Sequence, residues 1–174
     1  FIFFIIKNII SFTIFYFNPE REPEEEDELS VIAPIDGKIE AIDTQDEKLR
    51  IHISSFITDN HLIRSPIFAN LHIVKKAGIN LFAKNPQSQR LNASLNLYFK
   101  SAHREFALLL TEGFLRSKLR LLAKNGEKIK LAKRVAFFNA QKSIFICPKD
   151  TQLKVCVGDN IRSGETLIGF MPNE

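Results

Sequence analysis

Hydrophobic and polar positions follow three different rhythms along this chain. Residues 1–17 are nearly continuous apolar sequence, broken only by Lys7, Asn8, Ser11 and Thr13. Residues 18–29 carry Glu20, Glu22, Glu24, Glu25, Glu26, Asp27 and Glu28 among prolines and hold almost nothing to bury. From Ser30 onward the pattern alternates at a period of two, as a strand with one buried face requires. Such runs appear at Lys38–Ile42, Leu49–Ser54, Leu71–Val74, Leu91–Phe99, Phe106–Thr111 and Ile144–Cys147, separated by glycines or polar loops. Outside the N-terminal stretch no long segment repeats at helical period. The expected fold is therefore mainly β: an antiparallel sheet or barrel-like domain over 30–174. A hydrophobic N-terminal helix over 1–17 and an acidic linker over 18–29 precede it.

Two turn signals refine this picture. In Pro34-Ile35-Asp36-Gly37, proline presets φ and Asp-Gly favours closure of a hairpin between Val31–Ala33 and Lys38–Ile42. Near the C-terminus, the turns at Val157-Gly158-Asp159 and Gly164-Glu165-Thr166 flank a short apolar strand, which predicts a tight β-hairpin lid.

As a helix, residues 1–17 would reach about 26 Å, against a hydrocarbon core of about 30 Å. Three readings stay open. The stretch is the end of a longer spanning segment that starts upstream of Phe1, a segment dipping into one leaflet, or a signal-peptide core. The last lacks a small-residue cleavage site, since Asn18-Pro19-Glu20-Arg21 follows. A helix apolar on all sides needs a large protein around it, which 174 residues cannot supply. Membrane association is expected, on the cytoplasmic side. The acidic run reads as a solvated spacer.

The net charge of +4 is unevenly spread. Arg116, Lys118 and Arg120 alternate with Leu115, Ser117, Leu119 and Leu121, and Lys124, Lys128, Lys130, Lys133 and Arg134 continue the run. Such a face suits either an anionic partner or plain solubilisation. The apolar N-terminus turns the choice of partner toward lipid and away from nucleic acid. Cys147 and Cys156 sit among apolar residues and read as buried thiols without metal or redox spacing. No metal is expected.

Chemistry concentrates in Asp59-Asn60-His61-Leu62-Ile63-Arg64-Ser65-Pro66, which places an acid, an imidazole and a guanidinium within six residues. The run follows a strand-like segment, so its polar groups should emerge where a strand passes into a loop. By itself the run also fits a loop capped by Asp59 with a solvated Arg64.

Together these segments carry a resemblance. The chain resembles the short, single-domain form of phosphatidylserine decarboxylase. Residues 1–17 running into Phe17-Asn18-Pro19-Glu20-Arg21 look like that family's membrane segment and the motif after it. Ala33-Pro34-Ile35-Asp36-Gly37-Lys38 is similar to its Pro-x-Asp-Gly turn, Asp59–Pro66 to its Asp-x-His-x-x-Arg-x-Pro motif, and the terminal glycine turns to its final hairpin.

The resemblance implies a proenzyme that makes its own cofactor. A Ser that follows a Gly attacks the Gly carbonyl, the ester eliminates, and the new N-terminus becomes a pyruvoyl group, the electron sink for loss of CO2 from a serine phospholipid. It further implies that Asp36 and His61 activate the Ser hydroxyl. Arg64 and Arg90 would bind the anionic substrate.

This chain departs from the pattern in two places. The family's Phe-Gly-Ser is here Phe138-Asn139-Ala140, and its Asn-Glu-Arg is Ser88-Gln89-Arg90, where only the arginine stays. Ala140 has no hydroxyl to attack with. Ser143 is the nearest replacement nucleophile, but Lys142 precedes it where glycine's conformational freedom is needed. One reading is a phospholipid-binding family member that has lost self-processing and works as a homo-oligomer or beside an active paralogue. The other is an active pyruvoyl-dependent decarboxylase processed at Ser143. A third sets the resemblance aside: a basic, membrane-tethered β-domain for an anionic partner.

Overall fold

Alternation at period two becomes strands, in a computed structural model that describes residues 2, 5, 6, 20–24, 27–56, 58–78, 92–101, 104–112 and 119–172. In chain order the strands are β1 (Ser30–Ile32), β2 (Gly37–Gln45), β3 (Lys48–Ser54), β4 (Leu62–Arg64), β5 (Ala69–Lys76), β6 (Ser94–Ser101) and β7 (Arg104–Glu112). After them come β8 (Arg120–Leu121), β9 (Lys128–Ile129), β10 (Arg134–Phe137), β11 (Ala140–Pro148), β12 (Gln152–Leu153), β13 (Asn160–Ile161) and β14 (Leu167–Phe170). An eight-stranded sheet runs β13-β2-β3-β11-β7-β6-β5-β9, and two three-stranded sheets run β1-β14-β12 and β4-β10-β8. All pairings are antiparallel. The mainly β, antiparallel expectation holds. Among the described residues, however, the large sheet is open, ending at β13 and β9.

One face of that sheet builds the core. Ile53, Leu110 and Leu95 fall in one cross-strand row with Ser143, and Ile51, Phe145, Leu108 and Leu97 fall in the next. All of these side chains are buried. Phe106 stacks on Phe145 with ring centroids 6.2 Å apart. Each such side chain contributes roughly 1.5–3 kcal/mol by leaving water, so the rows fix the register of the long strands.

Three sequence expectations change. Asp36-Gly37 does not close a hairpin: β1 pairs with β14, while β2 pairs with β3 and β13. The true β2–β3 turn is Asp46-Glu47, where both residues take positive φ of 51° and 57°, the backbone twist that suits a two-residue hairpin. Nor do the C-terminal turns form a hairpin lid. β13 joins β2 and β14 joins β1 and β12, because the Ser163-Gly164 turn between them is held to other loops. Cys147 is buried but Cys156 is exposed.

Within residues 1–17 only Ile2, Ile5 and Ile6 are described, helical and exposed, so the expected N-terminal helix lies mostly outside the described residues. Arg116 and Lys118 lie outside them as well. Among the described residues no helix is long and apolar enough to cross a membrane.

Candidate functional site

Asp59 and Asn60 prove to be loop-builders. The Asp59 carboxylate accepts the Phe56 N–H at 2.7 Å, and the Asn60 side-chain carbonyl accepts the Leu62 N–H at 2.9 Å. Such local side-chain bonds favour turns over strands, and they set the point at which the chain enters β4. Part of the run is thus a strand, whereas a loop was expected throughout.

His61, at the mouth of β4, is buried, and its ring stands nearly perpendicular to that of Phe137 with centroids 6.2 Å apart. Arg64, at the far end of β4, is buried instead of solvated. It donates to the Ala132 carbonyl at 3.2 Å. Ala132 itself holds a left-handed φ of 58°, so a conformation uncommon for a residue with a Cβ presents that acceptor. Burial, and then the charges of Arg134 and Arg21, push the Arg64 guanidinium below its ordinary pKa.

Asp36 sits where Pro34 releases the chain into β2. Its carboxylate accepts two bonds from Arg21, at 2.5 and 2.9 Å, and the Ser163 N–H at 2.7 Å. The forked contact matches guanidinium to carboxylate geometry. It holds the Arg21 pKa above its ordinary value. Ser163 also donates its hydroxyl toward the carbonyls of Pro34 and Leu62, each at 3.1 Å. One serine thereby ties the Asp36 turn to β4. Gly164 follows because the Arg64 side chain crosses directly over it: a Cβ there would overlap Arg64 Cδ.

Backbone bonds bring Ala140 into the same neighbourhood. The His61 carbonyl accepts the Phe138 N–H at 3.1 Å, two residues before Ala140. On the other side, the Gln141 carbonyl accepts the Ser55 N–H at 3.0 Å, and the Ser55 hydroxyl donates to the Asp36 carbonyl at 2.5 Å. The Ala140 N–H itself returns to the Phe138 carbonyl at 3.0 Å, a three-residue γ-turn centred on Asn139. The register of β11 against β7 also shifts between Ala140 and Lys142. The expected processing position is thus a tight turn leading into an irregular strand start, flanked by the His61 and Asp36 segments.

Ser143 lies elsewhere. It is three residues further along β11, roughly 10 Å at about 3.3 Å per residue. It sits between Ile53 and Leu110, buried, and its hydroxyl has no hydrogen-bond partner among the described residues. Arg90 and the Ser88-Gln89-Arg90 run fall outside the described residues. Among the described residues no group of three or more His, Cys, Asp or Glu gathers to hold a metal.

Sequence reasoning missed Arg21 and Ser163. Arg21 was read only as the end of the Phe17-Asn18-Pro19-Glu20-Arg21 motif and was given no role, although it is the only cation in the acidic run from Glu20 to Glu28. Ser163 carried none.

Comparison with known proteins shows the family. The family model for phosphatidylserine decarboxylase matches residues 9–169. The chain is 28% identical over 180 residues to a phosphatidylserine decarboxylase proenzyme of Desulfotalea psychrophila, covering 95% of this chain and 82% of that one. It is 28% identical over 183 residues to the corresponding proenzyme of Amoebophilus asiaticus, with 98% and 80% covered. A putative archaetidylserine decarboxylase proenzyme of Methanosarcina acetivorans is 25% identical over 166 residues, with 92% and 76% covered. No solved structure matches.

Proposed function

Because the chain belongs to the phosphatidylserine decarboxylase family, we propose that it is a phospholipid-binding member at the membrane that no longer processes itself. It would act on or bind phosphatidylserine-type lipid, in the route to phosphatidylethanolamine. The observation that carries this reading is Ala140. The flanking backbone still holds the Asp36 and His61 segments around it, but its methyl group offers no oxygen for an acyl shift and no leaving group for elimination. The residues present therefore do not fit a pyruvoyl group at this position.

His61, a buried imidazole, would be the base and Asp36 the acid that activate a hydroxyl here. Both remain, yet there is nothing at Ala140 for them to act on. Arg64 would supply positive charge to an anionic lipid group, and Arg90 would join it. The membrane contact is assigned to residues 1–17, and decarboxylation to an active paralogue.

Ser143 supports a second reading. Its buried hydroxyl has no partner among the described residues, as befits a group kept for chemistry. Against it stand Lys142 in place of glycine and a β11 register locked between two apolar neighbours. Intact mass of the purified chain decides between the two. We expect one uncut species that gains nothing from hydroxylamine. A break before Ser143, with a C-terminal piece that takes up the amine, would overturn the proposal in favour of an active enzyme.

A further inference from the structure

The face of the eight-stranded sheet opposite the core carries a cleft of about 630 Å³, away from the Asp36 carboxylate and its Arg21 clasp. Register across four strands decides what lines it. Lys142 on β11 lies opposite Thr111 on β7, Thr111 opposite Ser94 on β6, and Ser94 opposite Lys76 on β5. The row thus reads cation, hydroxyl, hydroxyl, cation. At about 4.8 Å per strand its two lysines stand roughly 14 Å apart. Each ammonium rides a flexible four-carbon stem, so both can fold inward over the hydroxyls between them.

The adjoining row is different. Ile144 lies opposite Leu109, and His52 and Asn96 stand outside that pair. Both apolar side chains are half-buried although they point away from the core. Ser143, on β11 between Lys142 and Ile144, belongs to the core-facing row with Ile53 and borders the floor of the cleft; it is the one buried hydroxyl in the lining without a hydrogen-bond partner among the described residues. Among the described residues Glu40 is the one carboxylate in the lining, and it stands on β2, beyond the lysine row.

We propose that this cleft binds the glycerophosphate part of a phospholipid. The anionic phosphate would sit over Thr111 and Ser94 between Lys142 and Lys76, with the glycerol and first acyl carbons on Ile144 and Leu109. A strip of donors and cations beside an apolar strip suits an amphiphile with one anionic end. An inorganic anion would leave Ile144 and Leu109 unused. The assignment rests on the phospholipid reading above for the identity of the lipid, and it adds a place on the sheet where the lipid is held.

The experiment titrates the full chain with monomeric dihexanoyl phosphatidylserine and, separately, with inorganic phosphate, by calorimetry. The lipid should bind at least about tenfold tighter than phosphate, since the apolar strip adds burial worth about 1.4 kcal/mol or more. Lys76→Gln with Lys142→Gln should weaken both ligands by about tenfold or more, as expected for loss of charge-assisted bonds. Leu109→Asn should weaken the lipid alone. Equal affinity for phosphate and lipid, no binding of the lipid, or affinities unmoved by the double variant would each overturn the cleft. Lipid binding that the double variant leaves unmoved removes the cleft and leaves the phospholipid reading standing, whereas no lipid binding at all removes both; cleavage is read separately by mass.

Discussion

At residue 140 the chemistry of the chain turns on one oxygen atom. The backbone there retains a γ-turn between Phe138 and Ala140, with the His61 carbonyl bonded to Phe138 on one side and the Asp36 segment reached through Ser55 on the other. If those segments keep their competence, restoring glycine and serine should restore the reaction. In the double variant Asn139→Gly, Ala140→Ser we expect two fragments on denaturing gels, the C-terminal one trapping hydroxylamine. His61→Ala in that background should return the chain to one piece. A folded double variant that stays uncut would show that more than the nucleophile has been lost. The residues involved differed in legibility. Asp36, His61, Arg64 and the altered Asn139-Ala140 were reached through the short motifs that carry the family resemblance. The contacts of Arg21 and Ser163 were not, because their partners lie 15 and 127 positions away and no short window contains both ends of the contact.

At the scale of elements, alternation located the long strands well and their partners poorly. Leu49–Ser54, Phe106–Thr111 and Ile144–Cys147 became β3, β7 and β11, side by side at the centre of the large sheet. A period of two reports only that one face is buried. It is silent on which strand lies alongside, so Asp36-Gly37 and the C-terminal glycine turns were both assigned as hairpins. What overrode them was the loop of Ser163 and Gly164, which reaches across to Asp36, Pro34, Leu62 and Arg64 and sends β13 and β14 to separate sheets. The short strands β4, β8, β9, β10, β12 and β13 are two to four residues long and carry too little pattern to be read. The element view yields its own prediction. Gly164 holds φ of 77° beneath the Arg64 side chain, so Gly164→Ala brings both a disfavoured backbone and a clash. Denaturant unfolding should show a loss of about 1–3 kcal/mol. Gly126→Ala supplies the comparison: φ is also positive there, at 81°, but a Cβ meets nothing within 4 Å, so its loss should be smaller. Equal losses would mean that the Arg64 contact adds nothing to the backbone strain.

At the scale of the whole molecule, the stretch between the apolar N-terminus and the β-domain acts as a clasp. Its charge suggested a solvated spacer, yet residues 20–24 are fastened at four points. Glu20 pairs with Arg134, Arg21 with Asp36, the Glu24 N–H with the Glu165 carbonyl, and the Glu24 carboxylate with the Leu167 N–H. The side chains of Arg21 and Asp36 are only 13% and 12% exposed, so this pair is shielded from solvent as most surface ion pairs are not. Glu20 is largely exposed and should add little. Arg21 thereby ties the start of this stretch to the turn that carries Asp36. Two truncations separate the anchor from the clasp. A chain starting at residue 18 keeps all four contacts, and its melting temperature should match that of the full chain. A chain starting at residue 25 loses Arg21 and Glu24, and with them about 2 kcal/mol of charge-assisted bonding. Its melting temperature should fall by about 4–8 °C, and Arg21→Met in the longer chain should reproduce most of the fall. If the two truncated chains melt together, the acidic stretch is a spacer after all, and the Arg21–Asp36 contact adds nothing to the stability of the domain.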